Sequence, residues 1–285
     1  MKNGRTRRTT GLTLIEMTLV VATIALLVGF AVPAVRALMN SFQSQGGVQS
    51  MVNAALSSAR AMAMSGQRYV GVRFQKLCTS DDPLDPLQGL LDAPQYMVFI
   101  THEEPKKMGG LANGFRAVDG LEPIKLPSTI GVMDLSGIGS DAQIDDPPEL
   151  SDATTFSIVF SPSGKLVVHD VRVRNRQGKY RPNNALGAAE TSMDEVFNSV
   201  ANICRPPLRR GMCLQDDYPV QSAGQTGSAG FGLGEEPSRT NFVIYELATL
   251  RAAYSNRAPW SAYLGGLKTG ALYVSPYTGN LISSR

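Results

Sequence analysis

Gly11-Leu12-Thr13-Leu14-Ile15-Glu16 stands between a basic stretch and a run of nineteen uncharged residues, Met17 to Val35. This junction decides how the chain is read. The run is rich in Leu, Val, Ile and Ala, and at about 1.5 Å of rise per residue a helix of that length approaches the ~30 Å of a bilayer's hydrocarbon. We therefore expect a transmembrane helix within residues 12–40. Lys2, Arg5, Arg7 and Arg8 precede the run and only Arg36 follows it closely, which orients the N-terminus toward the cytoplasm and everything after about Asn40 to the other side.

A secretory signal peptide also has a basic start and an apolar centre. This chain differs from one in three ways: Glu16 stands at the entrance of the run, the run is long, and Val32-Pro33-Ala34-Val35-Arg36 offers no small-x-small cleavage site. A carboxylate next to hydrocarbon is costly and calls for a named partner.

The combined pattern of basic leader, Gly11 to Glu16 and apolar run resembles the N-terminus of type IV prepilins and type II secretion pseudopilins. The resemblance implies cleavage after Gly11 by a prepilin peptidase and N-methylation of the new terminus, Leu12. Glu16 then becomes the fifth residue of the mature chain, and Pro33 falls where family members often kink the helix. It further implies an inner-membrane, single-pass protein with a periplasmic C-terminal domain, built into a filament with sibling subunits. In that family the glutamate neutralises the α-amine of a neighbouring subunit, which sets axial register. Removing one partner of such a buried pair costs roughly 3 to 5 kcal/mol.

The whole chain of 285 residues carries a formal charge of +3, but residues 1–11 hold four basic and no acidic groups. The remainder has 23 Lys and Arg against 24 Asp and Glu, so net charge gives no argument for nucleic-acid binding. The three cysteines are too few for a disulfide-built scaffold. Cys204 and Cys213 flank Pro206, Pro207 and Gly211, so the two either close a small oxidised loop or both remain thiols. Cys78 has no histidine beside it and reads as a half-buried small hydrophobe.

Beyond Asn40, Val48, Met51, Val52, Ala55, Leu56, Ala59, Met62 and Ala63 recur at steps of three and four, which predicts an amphipathic helix ended by Gly66. Gly46 and Gly47 suggest a hinge before it. Strands are expected at Tyr69 to Phe74, Tyr96 to Thr101, Phe156 to Phe160, Leu166 to Arg174, Asn241 to Glu246 and Ala271 to Ser275. Residues 79–94, 103–150 and 176–240 are expected as surface loops. Two hairpins echo each other, each with Ser-Pro and then Gly between apolar runs: Phe160 to Leu166 and Val274 to Leu281. Ala59 to Met64, the strand around Val70 to Phe74 and Phe160 to Gly164 together resemble H-type minor pseudopilins and related minor pilins. The expected fold is α+β: a long N-terminal transmembrane and amphipathic helix followed by an antiparallel, sandwich-like sheet with long loops. The expected divisions are a leader (1–11), a transmembrane helix (12–40), its amphipathic extension (41–66) and a β-rich domain (67–285).

Residues that carry chemistry are sparse. With His102 and His169 as the only histidines, neither a multi-histidine metal site nor a Ser-His-Asp arrangement has much to draw on. Asp81, Asp82 and Asp85, and Asp141, Asp145, Asp146 and Glu149, fit no EF-hand spacing. No cofactor or metal and no enzymatic activity are expected. Arg172, Arg174, Arg176, Lys179 and Arg181 form the one basic run that could track phosphates. Asp170 and the lack of interleaved aromatics favour a solvated strand face instead. The expected role is a structural minor pseudopilin or pilin subunit whose partners are the peptidase, its siblings and the membrane; the alternative is a DNA-binding minor pilin for uptake.

Overall fold

The three- and four-residue spacing of Val48, Val52, Ala55, Leu56, Ala59 and Ala63 gathers them on one side of a helix, and in the computed structural model they are the buried face of α1, Gln45–Gly66. The structure describes residues 15, 17–24, 26–27, 45–80, 85, 87–105, 112–135, 143–174, 195–198, 211–214, 236–267 and 270–283. Gly46 and Gly47 lie in the first turn of α1. At the other end Gln67 takes a left-handed conformation (φ 49°) and the Arg68 amide reaches back to the Ala63 carbonyl at 3.3 Å. That bond closes the helix as a Schellman motif does.

The helix lies on a mixed sheet, against its interior strand β1, Val70–Lys76. On its two sides run β2 (Gln95–His102) and β6 (Phe156–Phe160), both antiparallel to it. Beyond β2 come β3 (Gly114–Ala117), β8 (Asp170–Arg174) and the edge strand β11 (Glu236–Pro237), while β7 (Leu166–Val167) forms the other edge. β4, Ile124–Lys125, also pairs with β2. A second sheet runs in the order β14 (Leu281–Ser283), β13 (Leu272–Val274), β12 (Asn241–Glu246) and β5 (Ile130–Met133). β9 (Phe197–Asn198) and β10 (Cys213–Leu214) pair parallel. Three shorter helices complete the described elements: α2 (Pro147–Thr154), α3 (Leu247–Ser255) and α4 (Trp260–Gly265).

Leu166 to Arg174, expected as one strand, is two, and they sit far apart in the sheet order. β7 is separated from β8 by five strand steps, about 24 Å on a flat sheet. Only Val168 and His169 connect them, a span of at most ~11 Å. The sheet must therefore curl until its ends approach, and it forms a half-barrel. Ser238 fastens the seam: its amide donates to the His169 carbonyl (2.8 Å), and its hydroxyl donates to the Val167 carbonyl (2.9 Å) and accepts from the His169 amide (3.0 Å).

This architecture corrects the expected antiparallel sandwich. β8 joins β3 in parallel, so the sheet is mixed and curled. The expected long transmembrane helix is corrected too. The described helical residues of the N-terminal stretch are 15, 17–24 and 26–27. α1 is longer, but Gln49, Ser50, Asn53, Ser57, Ser58 and Arg60 break its apolar character. Among the described residues no helix is long and apolar enough to cross a membrane, which overturns the expected single-pass inner-membrane placement.

Alternation along the strands divides the side chains between two cores. Val72 and Phe74 face α1 and the second sheet, where Phe74 stacks on Phe156 (4.8 Å between centroids) and meets Phe242 at 5.9 Å. The inner face of the half-barrel is filled by Val98, Ile100, Phe115, Val159, Val171 and Val173.

Candidate assembly surface

Side chains of the N-terminal helical residues project outward. Ile15 is 78% exposed, Leu19 66% and Leu27 67%, whereas Val48, Val52 and Leu56 on α1 are fully buried. Thr18 and Thr23 do not interrupt this apolar surface. The Thr18 hydroxyl donates to the Ile15 carbonyl at 2.9 Å, and that of Thr23 to the carbonyls of Leu19 (3.0 Å) and Val20 (2.8 Å). Each hydroxyl spends its donor on its own helix, leaving its methyl group to the surface. The result is a helical segment apolar on every described side, and such a surface gains free energy when another apolar surface covers it.

Behind α1 the two echoing hairpins meet. Gly164 (φ 75°) and Gly279 (φ 74°) both take the left-handed turn conformation that a side chain resists. A Cβ on Gly164 would stand 2.6 Å from Met64 Sδ, and one on Gly279 would stand 3.2 Å from Arg60 Cδ. Arg60 Nε donates to the Gly164 carbonyl at 2.8 Å, and the Leu166 amide donates to the Pro276 carbonyl at 2.9 Å. The Ala59 to Met64 segment and both Ser-Pro turns, far apart in sequence, thus form one junction between α1 and the two sheets.

Other expected site residues divide between described and undescribed positions. Gly11, Leu12, Glu16 and Pro33 lie outside the described residues, as do Cys204, Arg176, Lys179 and Arg181. Cys213 is buried in β10, opposite Phe197. Arg172 and Arg174 lie on β8 in register with Gly114 and Arg116. Arg116 is committed elsewhere: its guanidinium binds Glu103 (2.8 Å) and Asp119 (2.8 Å), and Glu103 also takes Arg68 at 3.0 Å. Arg116, in register with β8, is therefore already neutralised.

Sequence reading missed three polar groups. Arg73 occupies a strand position that alternation would give to solvent, yet it is fully buried on the inner face of the half-barrel. Its Nε donates to Gln75 Oε1 (2.8 Å) and its Nη1 to Ser157 Oγ (3.2 Å) and Glu236 Oε1 (3.0 Å). Burial raises the Glu236 carboxyl above its ordinary pKa, against the opposing pull of Arg73 and Arg239; Arg239 itself pairs with Asp134. Lys76 is the second. Its ammonium donates to the carbonyls of Leu90 (2.9 Å) and Leu91 (2.8 Å), and burial lowers it to about 8 despite the nearby Asp92. The third is a ring cluster at one end of the half-barrel: Tyr69, His102, Phe115 and His169. A cavity of about 420 Å³ opens elsewhere, between β2 and β10, lined by Leu77, Tyr96, Leu121, Glu122, Glu195 and Cys213 among others. Burial, with a smaller contribution from Cys213, raises the Tyr96 hydroxyl above its ordinary pKa.

No family model, curated protein or solved structure matches the chain.

Proposed function

We propose that this chain is a structural subunit of a pilus-like filament, a minor pseudopilin or minor pilin and not an enzyme, cut after Gly11 by a prepilin peptidase. The observation that supports the reading is the exposed helical segment just beyond Glu16, whose threonines bond their hydroxyls to their own helix so that the surface of its described residues is apolar. Stacked sibling helices would cover that surface, while α1 and the half-barrel supply a separately stable body. Glu16 is assigned to the α-amine of Leu12 on an adjacent subunit, an ion pair that fixes register rather than adding much net affinity.

Mass spectrometry of the protein from a host with an active peptidase tests the processing: the mature chain begins at Leu12, N-methylated. A mature start near residue 36 refutes it. Glu16→Ala tests the assembly role. The variant is cut and folded like its parent but fails to cross-link to sibling subunits, and normal cross-linking overturns the register assignment.

A further inference from the structure

The chain's only two histidines lie 67 positions apart, yet the fold sets their rings 5.6 Å apart between centroids, tilted by 59°. Both backbones are pinned. The His102 amide donates to the Tyr69 carbonyl at 2.9 Å, and both backbone groups of His169 are tied to Ser238 in the half-barrel seam. The rings are held as well: Tyr69 packs on His169 (4.5 Å) and edge-on to His102 (6.0 Å), and Phe115 lies against both at 5.5 Å and 5.3 Å. Side chains placed this way have little rotamer freedom left to lose on taking a ligand.

We propose that His102 and His169 together chelate a divalent transition-metal ion of the zinc, nickel or copper class at the open end of the half-barrel. Imidazole nitrogen suits these metals. An ion about 2.0 to 2.1 Å from a ring nitrogen lies about 3.2 Å from the ring centre, so two imidazoles sharing one tetrahedral ion have centres about 5 Å apart. The observed 5.6 Å is within a small adjustment of that. His169 Nδ1 sits 2.6 Å from the Asp170 carbonyl. A carbonyl only accepts, so Nδ1 carries the proton and Nε2 keeps its lone pair, the tautomer that a backbone carbonyl commonly fixes in metal-ligating histidines.

Glu103 does not compete for the ion, since Arg68 and Arg116 already hold it. Both histidines are part-exposed, so an ion can enter, and water would complete its shell. Among the described residues no group of three His, Cys, Asp or Glu is placed to hold a metal. The proposal is therefore of a two-ligand site of modest affinity.

Isothermal titration of zinc chloride or nickel chloride into chelator-treated protein without a histidine tag tests this. The expected result is one ion per chain at pH 7.5, with affinity at least tenfold lower in His102→Phe or in His169→Phe. Phenylalanine keeps the ring packing on Tyr69 and removes the nitrogens, and circular dichroism reports whether the fold survives. A second readout needs no variant: substoichiometric nickel broadens the ring proton signals of both histidines together in the wild-type NMR spectrum. Affinity equal to that of the doubly substituted protein, or ring signals that nickel leaves sharp, overturns the proposal.

Discussion

The Gln95 side chain stands in for a β-strand along Val132. Its Nε2 donates to the Val132 carbonyl and its Oε1 accepts from the Val132 amide, both at 2.8 Å, so the amide group completes the ladder that the edge of β5 lacks. The same Nε2 donates to the Thr154 carbonyl, also at 2.8 Å. Gln95 begins β2 in the first sheet and Val132 lies in the second, so this one residue ties the sheets and the end of α2 together.

Gln95→Met keeps the volume and removes the hydrogen bonds. It strands an amide and two carbonyls in a buried site, at about 1 to 3 kcal/mol for each group left without a partner. Urea unfolding is expected to show a free energy of unfolding lowered by at least about 3 kcal/mol with an unchanged slope. A loss under 1 kcal/mol contradicts the strand-replacing role.

Glu236→Gln leaves the Arg73 guanidinium on the inner face of the half-barrel without its carboxylate. Removing one partner of a buried pair costs about 3 to 5 kcal/mol, and that is the loss expected by chemical denaturation. The double variant Arg73→Met with Glu236→Leu recovers much of it, because neither charge of this pair is left buried without its partner. A double variant no more stable than Glu236→Gln shows that the network specifies the fold in some other way.

Lys76 makes stability depend on alkaline pH in a defined direction. Its folded pKa of about 8 lies below the 10.5 of the unfolded chain, chiefly because of burial. Between those values the unfolded state binds the extra proton, so stability rises with pH through this window. The neutral amine still has donors for the carbonyls of Leu90 and Leu91. Comparing urea midpoints at pH 7.5 and 9.5 checks this: wild type gains relative to Lys76→Met across the interval. A constant difference between the two proteins refutes the shift.

What the sequence made legible followed from local periodicity. α1 was readable because its six fully or nearly buried positions repeat at helical spacing, and β12 because Asn241 to Glu246 is a dense β-forming run. Strands of two to four residues such as β4, β5 and β9 carry no period long enough to detect, and they owe their state to distant partners. Arg73 looked solvent-facing because alternation tells one face of a strand from the other but not whether anything covers it. Its cover comes from Glu236, 163 positions away. Val168 and His169 gave no sign of a strand break, since what separates β7 from β8 is the curl of the whole sheet. The histidine pair was hidden for the same reason. The membrane crossing inferred from the apolar run behind Glu16 is overturned, since among the described residues no helix is long and apolar enough to cross a membrane.

The last described strand, β14, rests on the first long helix: the Leu281 amide donates to Asn53 Oδ1 at 3.1 Å, a contact across 228 positions. Leu272, Val274 and Leu281 complete the core that α1 begins. In a chain emerging N-terminus first, β1 and β6 can cover α1 early, but the part of this core that Leu272, Val274 and Leu281 fill stays open until those residues are made, and such long-range closure is slow and exposes surface that can aggregate. Completion of this core thus waits on the hairpin of β13 and β14, and a growing chain carries an open edge of apolar surface until that hairpin arrives.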